Sequence, residues 1–569
     1  SPGTIYGRNA QHGVINIVTR SAEDIDGNKS YEVTSHISGG EQSYQAGYVG
    51  VRTALTDQTD FSLSVESKSF DAYEGDPEDV AGIGTTSGEQ KFGFDEEMMN
   101  SINVHSSLDH DLENGSVEVD FANRSFDPVR GRVPDRLCFV GMEGYSRYAN
   151  SNYEFDAFNV ENELSVGFNE NNFRFNQNGN PCDVDSTTGE TDRLGNEMTL
   201  STYNLGYEVQ SDFGAENQHN ILFGIDLTLE SGSEDATSGN DQFFPSDDYV
   251  DNEEIISAYI QDEWTLNEKN TAYLGGIFTD HYVAGANFAP MAALVHSYSD
   301  ETTIRAGSFT SYRNGNVFEH SMDFVQREGD ADKRTEILTN QDLDASRTTS
   351  YEVGLRSQVE QDLYLETNLY HLDVSDAMEW DLEGTSSFTN DAGNTQVIPQ
   401  YMTENNLESS YYGGNILARF TPSDRTNWVN SVSFNTLDNS SSDPDYTDDG
   451  FGEGRYGDEY VPPIIFNSTM NFDYSNFTGQ LAYEYVAEHD WYWPGYDDPA
   501  VLGGSGSESR SRKPVPGYST VNGSIGYDVN DRYRVSVEGY NLLDNAHTEW
   551  RGDKGHTGRM VWGTLSARF

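Results

Sequence analysis

The sequence is short of positive charge, of proline and of long apolar runs, and it lacks any recognisable catalytic constellation. Across 569 residues, 33 Lys and Arg stand against 96 Asp and Glu, a formal net charge of −63. Phosphate backbones need clustered Lys and Arg, so nucleic-acid binding is excluded. No stretch approaches the roughly 18 consecutive apolar residues of a membrane-spanning helix, which excludes an α-helical membrane protein. His105, His110, His281, His296 and His320 are scattered, with no HExxH motif and no Ser/His/Asp arrangement, so no enzyme is expected.

The composition that remains points to β-structure. The mean hydropathy of −0.68 with this charge would suit disorder, but 12% of the chain is aromatic, with 34 Tyr and 54 Gly against only 16 Pro. Such a chain is poor in breakers and rich in residues that fill strands and membrane interfaces. A length of 569 residues allows several soluble domains or one large closed structure. The acidic excess fits long solvated loops, or a surface adapted to salt or divalent cations.

Alternating strands run along the chain, separated by two kinds of connection. Short polar ones are expected at Thr56 to Asp60, His110 to Gly115, Ser211 to Gln218, Asn267 to Asn270, Ser299 to Glu301, Val359 to Asp362, Pro422 to Arg425, Tyr474 to Asn476 and Val529 to Arg532. A tenth is expected between Asn159 and Phe173. Long connections rich in Gly, Asp, Ser and Asn lie between them, at Asp71 to Asp95, Ser231 to Asn252, Asn314 to Asp344 and Asn439 to Tyr460. Short turns at one end and long loops at the other describe an outer-membrane barrel. Ten short turns with one further strand at each end predict roughly 22 antiparallel strands, a number associated with plugged transporters.

The period-two split supports this reading. Tyr533, Val535, Val537 and Gly539 alternate with Arg532, Arg534, Ser536 and Glu538, as apolar residues facing lipid alternate with polar ones facing a wet lumen. Tyr351, Val353 and Leu355 against Glu352 and Arg356 repeat it, as do Phe61, Leu63 and Val65 against Ser62, Ser64 and Glu66. The last strand, ending on Phe569, is expected to pair with the first near Tyr31 to Ser38 and so close the ring.

The stretch Gly3 to Arg20 resembles the motif that ends the plug domain of TonB-dependent outer-membrane receptors, carried by Gly3, Tyr6, Gly7, Arg8, Asn9, Gly13 and Asn16. Further landmarks follow in that family's order: Thr303 to Glu319, Asn340 to Arg356, Pro516 to Asn522, Tyr540 to Asp544 and Gly558 to Phe569. The wording of the plug end and the pattern around Tyr351 to Trp380 look most like the siderophore-receptor branch that includes the pesticin and yersiniabactin receptor. The resemblance implies an all-β fold, a 22-stranded transmembrane barrel over 30–569 preceded by a plug remnant and linker over 1–29. Because Ser1-Pro2-Gly3 opens inside a motif, an upstream stretch is expected to be missing, and a missing signal peptide carries no information.

The resemblance further implies a bacterial outer-membrane importer, expected as a monomer without a cofactor, in contact with lipid and lipopolysaccharide. Its cargo would be a ferric siderophore, with cobalamin, an oligosaccharide or another nutrient as alternatives, or passive flow through a porin-like channel. The TonB complex would engage a segment not contained in this chain. Candidate ligand contacts are Tyr312, Arg313, Trp380, Trp491, Tyr492 and Trp493, whose flat rings can stack on a ligand, although rings near strand ends also form the interfacial girdle. Phe569 resembles the terminal aromatic assembly signal of such barrels, and is alternatively an ordinary lipid-facing residue. Cys138 and Cys182 are expected in neighbouring long loops, where a disulfide would contribute roughly 4 kcal/mol; free thiols or a metal pair are the alternatives. Asp443, Asp445, Asp448 and Asp449 are dense enough to hold Ca²⁺, or form a solvated acidic loop.

Overall fold

Fourteen stretches of the chain are described by the computed structural model: residues 31–41, 43–70, 99–126, 140–158, 160–176, 195–215, 218–235, 250–315, 324–328, 332–389, 395–441, 462–491, 513–545 with 547, and 558–569. Among them there is no α-helix. Period-two sequences become strands whose neighbours supply the hydrogen bonds. The first nine are β1 (Tyr31–Gly40), β2 (Gln45–Thr56), β3 (Thr59–Phe70), β4 (Met99–Leu112), β5 (Gly115–Phe126), β6 (Val140–Ala157), β7 (Val160–Asn176), β8 (Gly195–Phe213) and β9 (His219–Asp235). Next come β10 (Val250–Asn267), β11 (Asn270–His281), β12 (Gly285–Ser299), β13 (Thr302–Arg313), β14 (Phe324–Glu328), β15 (Asp332–Leu338), β16 (Ser346–Glu360) and β17 (Leu363–Thr389). The remainder are β18 (Thr395–Ser423), β19 (Thr426–Ser441), β20 (Ile464–Tyr474), β21 (Phe477–Val486), β22 (His489–Trp491), β23 (Lys513–Val515), β24 (Tyr518–Asn530), β25 (Tyr533–Tyr540) and β26 (Met560–Arg568).

Setting aside the hairpin β14–β15 and the small ladder β22–β23, the other 22 strands form one closed antiparallel ring. Each pairs with its neighbours in the chain, except that β13 passes to β16 and β21 to β24. Closure satisfies the backbone polar groups around the whole ring and leaves no edge strand in it. The nine short turns expected from the sequence fall between paired strands. The tenth lies between Ala157 and Val160, which face each other, so most of the stretch 159–173 is strand β7 and not a turn. Phe158 stands in that reversal at φ 58°, a backbone region usually left to Gly or Asn, so the residue that turns the chain gives no turn signal itself.

Two long connections also differ from expectation. β9 continues to Asp235 and β10 begins at Val250, so Ser231 to Asn252 is partly strand. Between Asn314 and Asp344 stand β14 and β15, and β15 lies parallel to the upper part of β18, with Ile337 opposite Tyr401. The connections 71–98 and 442–461 lie outside the described residues.

Side chains sort by parity. Outward positions form an apolar belt that includes Ile37, Val49, Val166, Leu205, Ile260, Phe288, Val353, Leu369, Ile416 and Val537, all among the exposed large hydrophobics. A belt this continuous would be unfavourable in water and suits a hydrocarbon surround. At its short-turn border sit Phe213, Tyr298, Tyr474 and Phe477; at its other border His371 stacks between Tyr351 and Tyr412, its ring centroid 6.1 Å and 4.3 Å from theirs. Aromatic rings at both borders are the arrangement expected of the interfacial girdles of a membrane barrel.

The seam between first and last strands is fastened from the short-turn end. Val33 and Phe569 exchange two backbone hydrogen bonds, of 3.1 and 2.9 Å. Buried Glu32 accepts hydrogen bonds from Arg52 on β2 and from Arg568 on β26, so one carboxylate ties three strands together. Higher up, the Ser38 and Thr564 hydroxyls are 2.8 Å apart.

Candidate functional site

The inner wall of the ring is polar, and long side chains lie along it. Tyr259 on β10 crosses Gly224 on β9, its direct partner, and donates its phenol hydrogen to Glu208 on β8 at 2.6 Å. Tyr370 on β17 crosses Gly413 on β18 and donates to the Asn435 side chain on β19. Arg305 on β13 crosses Gly354 on β16 and donates to Asn368 on β17 at 3.1 Å. Arg534 on β25 crosses Gly526 on β24 and donates to Thr478 on β21. In each case a Cβ added at the glycine would overlap the side chain lying above it, which would then have to move. These staples tie three strands at a time and leave the wall low in relief.

One arc of the wall is strongly acidic. On β4 and β5, Asp109 stands directly opposite Glu118; on β6, β7 and β8, Glu154, Glu163 and Glu208 stand opposite one another in a row. Asp226 on β9 lies one step above, opposite Gly206. All share the inward parity, because Val119, Leu164, Leu205 and Ile225 on the same strands are exposed outward. Among the described inward strand positions of β4 to β9, Arg124 is the only Lys or Arg. Elsewhere several of the wall's cations are matched within the wall: Arg52 and Arg568 with Glu32, Lys68 with Glu66, Arg305 with Glu352, and Arg534 with Asp528.

At the long-connection end, β17 and β18 outgrow their neighbours, with 27 and 29 residues. At about 3.3 Å per residue the ribbon is roughly 90 Å long. A bulge after Val374, with Asp376 at φ 56°, marks where it leaves the ring. Asn405 clamps this base: its amide donates to the Asp344 and Asp376 carbonyls at 2.9 and 2.8 Å, and its carbonyl accepts the Asp344 N–H at 2.8 Å. Elsewhere at the mouth, fully buried Asn541 holds the end of β25. Its side chain donates to the Asn545 carbonyl at 2.9 Å and accepts the Asn545 N–H at 3.0 Å, with its own backbone at φ 47°.

Asn541→Ala is expected to cost about 3 kcal/mol, with two hydrogen bonds at about 1 kcal/mol each and about 1 kcal/mol for the left-handed backbone. Asn541→Gly keeps that backbone unstrained and should cost about 1 kcal/mol less. Urea unfolding from lipid vesicles reads the difference, and equal midpoints for the two variants would show that the conformation does not matter.

The residues singled out from the sequence are dispersed. Tyr312 and Arg313 are successive on β13 and so point to opposite faces: Arg313 shares the inward parity of Ser311 and reaches the Met378 sulfur at 3.4 Å, while Tyr312 has the outward parity of Ile304. Trp380 is in the ribbon, its backbone opposite Thr403. Trp491 closes β22 opposite Lys513. Tyr492, Trp493, Cys138, Cys182, Asp443, Asp445, Asp448 and Asp449 lie outside the described residues, as do Gly3, Tyr6, Gly7, Arg8, Asn9, Gly13 and Asn16. Phe569 meets Tyr533 edge-on at 5.8 Å, with the Arg532 guanidinium 6.0 Å over its ring. Glu32, the staples, the acidic arc and the Asn405 clamp were not foreseen, because each is made by residues that only strand register brings together.

Comparison with known proteins bears on what such a passage carries. The family model described as TonB dependent receptor-like, beta-barrel matches residues 93–542. A probable TonB-dependent siderophore receptor, PirA of Acinetobacter baumannii, is 23% identical over 143 residues, which is 24% of this chain and 19% of that protein. The crystal structure of the siderophore receptor PirA from Acinetobacter baumannii superposes with a TM-score of 0.77 at 17% identity, covering 99% of this chain and 83% of that one. A mutant of the ferric enterobactin receptor PfeA of Pseudomonas aeruginosa gives a TM-score of 0.75 at 13% identity, with the same coverage. At such identities the superpositions establish a shared fold.

Proposed function

The chain belongs to the TonB-dependent receptor β-barrel family, and from that premise we propose that it imports a ferric siderophore across a bacterial outer membrane. The observation that carries the reading is the closed 22-stranded ring itself, apolar outside and polar inside, spanned over most of its length by the family match. The short turns then face the periplasm and the tall ribbon faces the medium. Ligand is captured among the outer connections, where the candidate rings Trp380, Trp491, Tyr492 and Trp493 and the mouth residue Arg313 are placed in the chain. A plug blocks the bore, and the TonB complex opens it by pulling on a plug segment. The outward belt rests against lipid and lipopolysaccharide, and the barrel works as a monomer.

Growth of a strain deleted for this gene on single iron sources tests the reading, together with transcript level under iron limitation. Loss of growth on at least one ferric siderophore and induction when iron is scarce are expected. Unchanged growth and no response to iron would reject iron import and turn attention to other nutrients.

A further inference from the structure

Resting on the siderophore reading, we infer that the periplasmic half of this lumen selects by charge, admitting uncharged or cationic ferric chelates and excluding strongly anionic ones. Asp109, Glu118, Glu154, Glu163 and Glu208 lie within about the last third of their strands at the short-turn end, so cargo meets them on the way out. Like charges directly opposite across strands are disfavoured, and three in a row across β6, β7 and β8 repeat the disfavoured arrangement around the arc. No described inward Lys or Arg stands among them, and five cations elsewhere on the wall, Arg52, Arg568, Lys68, Arg305 and Arg534, are matched with carboxylates of the wall. The chain as a whole carries −63, so the field of the arc is reinforced and not offset.

Rings of Asp and Glu select cations in channels by this same means. A ligand squeezed past the wall travels within about one Debye length, roughly 8 Å at physiological salt, where repulsion is only partly screened. Iron(III) bound by three catecholate groups is trianionic, whereas iron(III) bound by three hydroxamates is uncharged. The two chelates are of similar size and denticity, so charge is the main property that separates them at the arc.

The test is uptake of radiolabelled iron by cells expressing the intact receptor from its own gene, supplied as a tris-hydroxamate or a tris-catecholate chelate. Uptake is compared between the wild type and the triple variant Glu118→Gln, Glu154→Gln, Glu163→Gln, normalised to folded receptor. In the wild type the uncharged chelate should enter at least about tenfold faster, the ratio falling as salt is raised. In the triple variant the ratio should move towards one. Equal entry of both chelates in the wild type, or a ratio that the triple variant leaves unchanged, overturns the charge filter while leaving siderophore import standing. If neither chelate enters, the filter is overturned, and growth on single iron sources decides separately whether iron import stands.

Discussion

Glu32→Ala is expected to lower the stability of the barrel by about 3 kcal/mol, chiefly by loosening its seam. Glu32 is only 3% exposed and is shared by Arg52 and Arg568, the first and last strands meeting through it. Removing one partner of a buried ion pair costs about 3–5 kcal/mol, because the charges left behind stay desolvated. The lower end of that range applies, since the Arg568 side chain is 38% exposed and water screens it. Here two guanidinium groups would remain without the carboxylate that they share. Glu32→Gln retains a hydrogen-bond acceptor and should lose about half as much. Urea titration in vesicles, with folded protein followed by its anomalous mobility on unheated gels, measures both. A Glu32→Ala midpoint within experimental scatter of the wild type would mean that the backbone pairing of Val33 with Phe569 closes the ring unaided.

Gly413→Val should be comparably severe, at about 2–4 kcal/mol. A Cβ at Gly413 would stand 2.5 Å from the Tyr370 phenol oxygen and 2.7 Å from the backbone oxygen of Phe434. The ring can swing away at the loss of its hydrogen bond to Asn435, about 1 kcal/mol, but the carbonyl belongs to the ladder between β18 and β19 and cannot. Overpacking of this kind typically costs about 1–3 kcal/mol more. Gly47→Val is the matched comparison, because nothing lies within 4 Å of the added atom there, and it should be near neutral. Adding Tyr370→Ala to Gly413→Val should recover only the part due to the ring. Full recovery would show that the carbonyl contact is harmless, and no loss in Gly413→Val alone would show that the staple contributes nothing.

The ring was readable in the sequence because one rule, alternation interrupted by short polar turns, repeats throughout. Nine turns carry Gly, Asp, Asn or Ser where the chain reverses. The tenth carries only Asn159, and Phe158 before it takes the positive φ, so the signal was weak and the turn was placed too late although the strand total was right. The pairing of the closing strand with the first was readable too, since a barrel in lipid tolerates no edge. The site was much less legible. Parity along β13 could have warned that Tyr312 and Arg313 face opposite ways, because it is a local property. Contacts across strands could not be seen, since Glu32 meets Arg568 from 536 positions away and a shift of one residue would turn either to the other face. The same holds for Glu163, whose two acidic neighbours, Glu154 and Glu208, are known only once the register is.

The staples have an effect on calibre. Tyr259, Tyr370, Arg305 and Arg534 are among the longest side chains of the wall, and pointed radially they would narrow the bore like spokes. Bent over glycines, they lie along the circumference, so at these four places the width of the lumen is set by the hoop of backbone and not by the length of the residue.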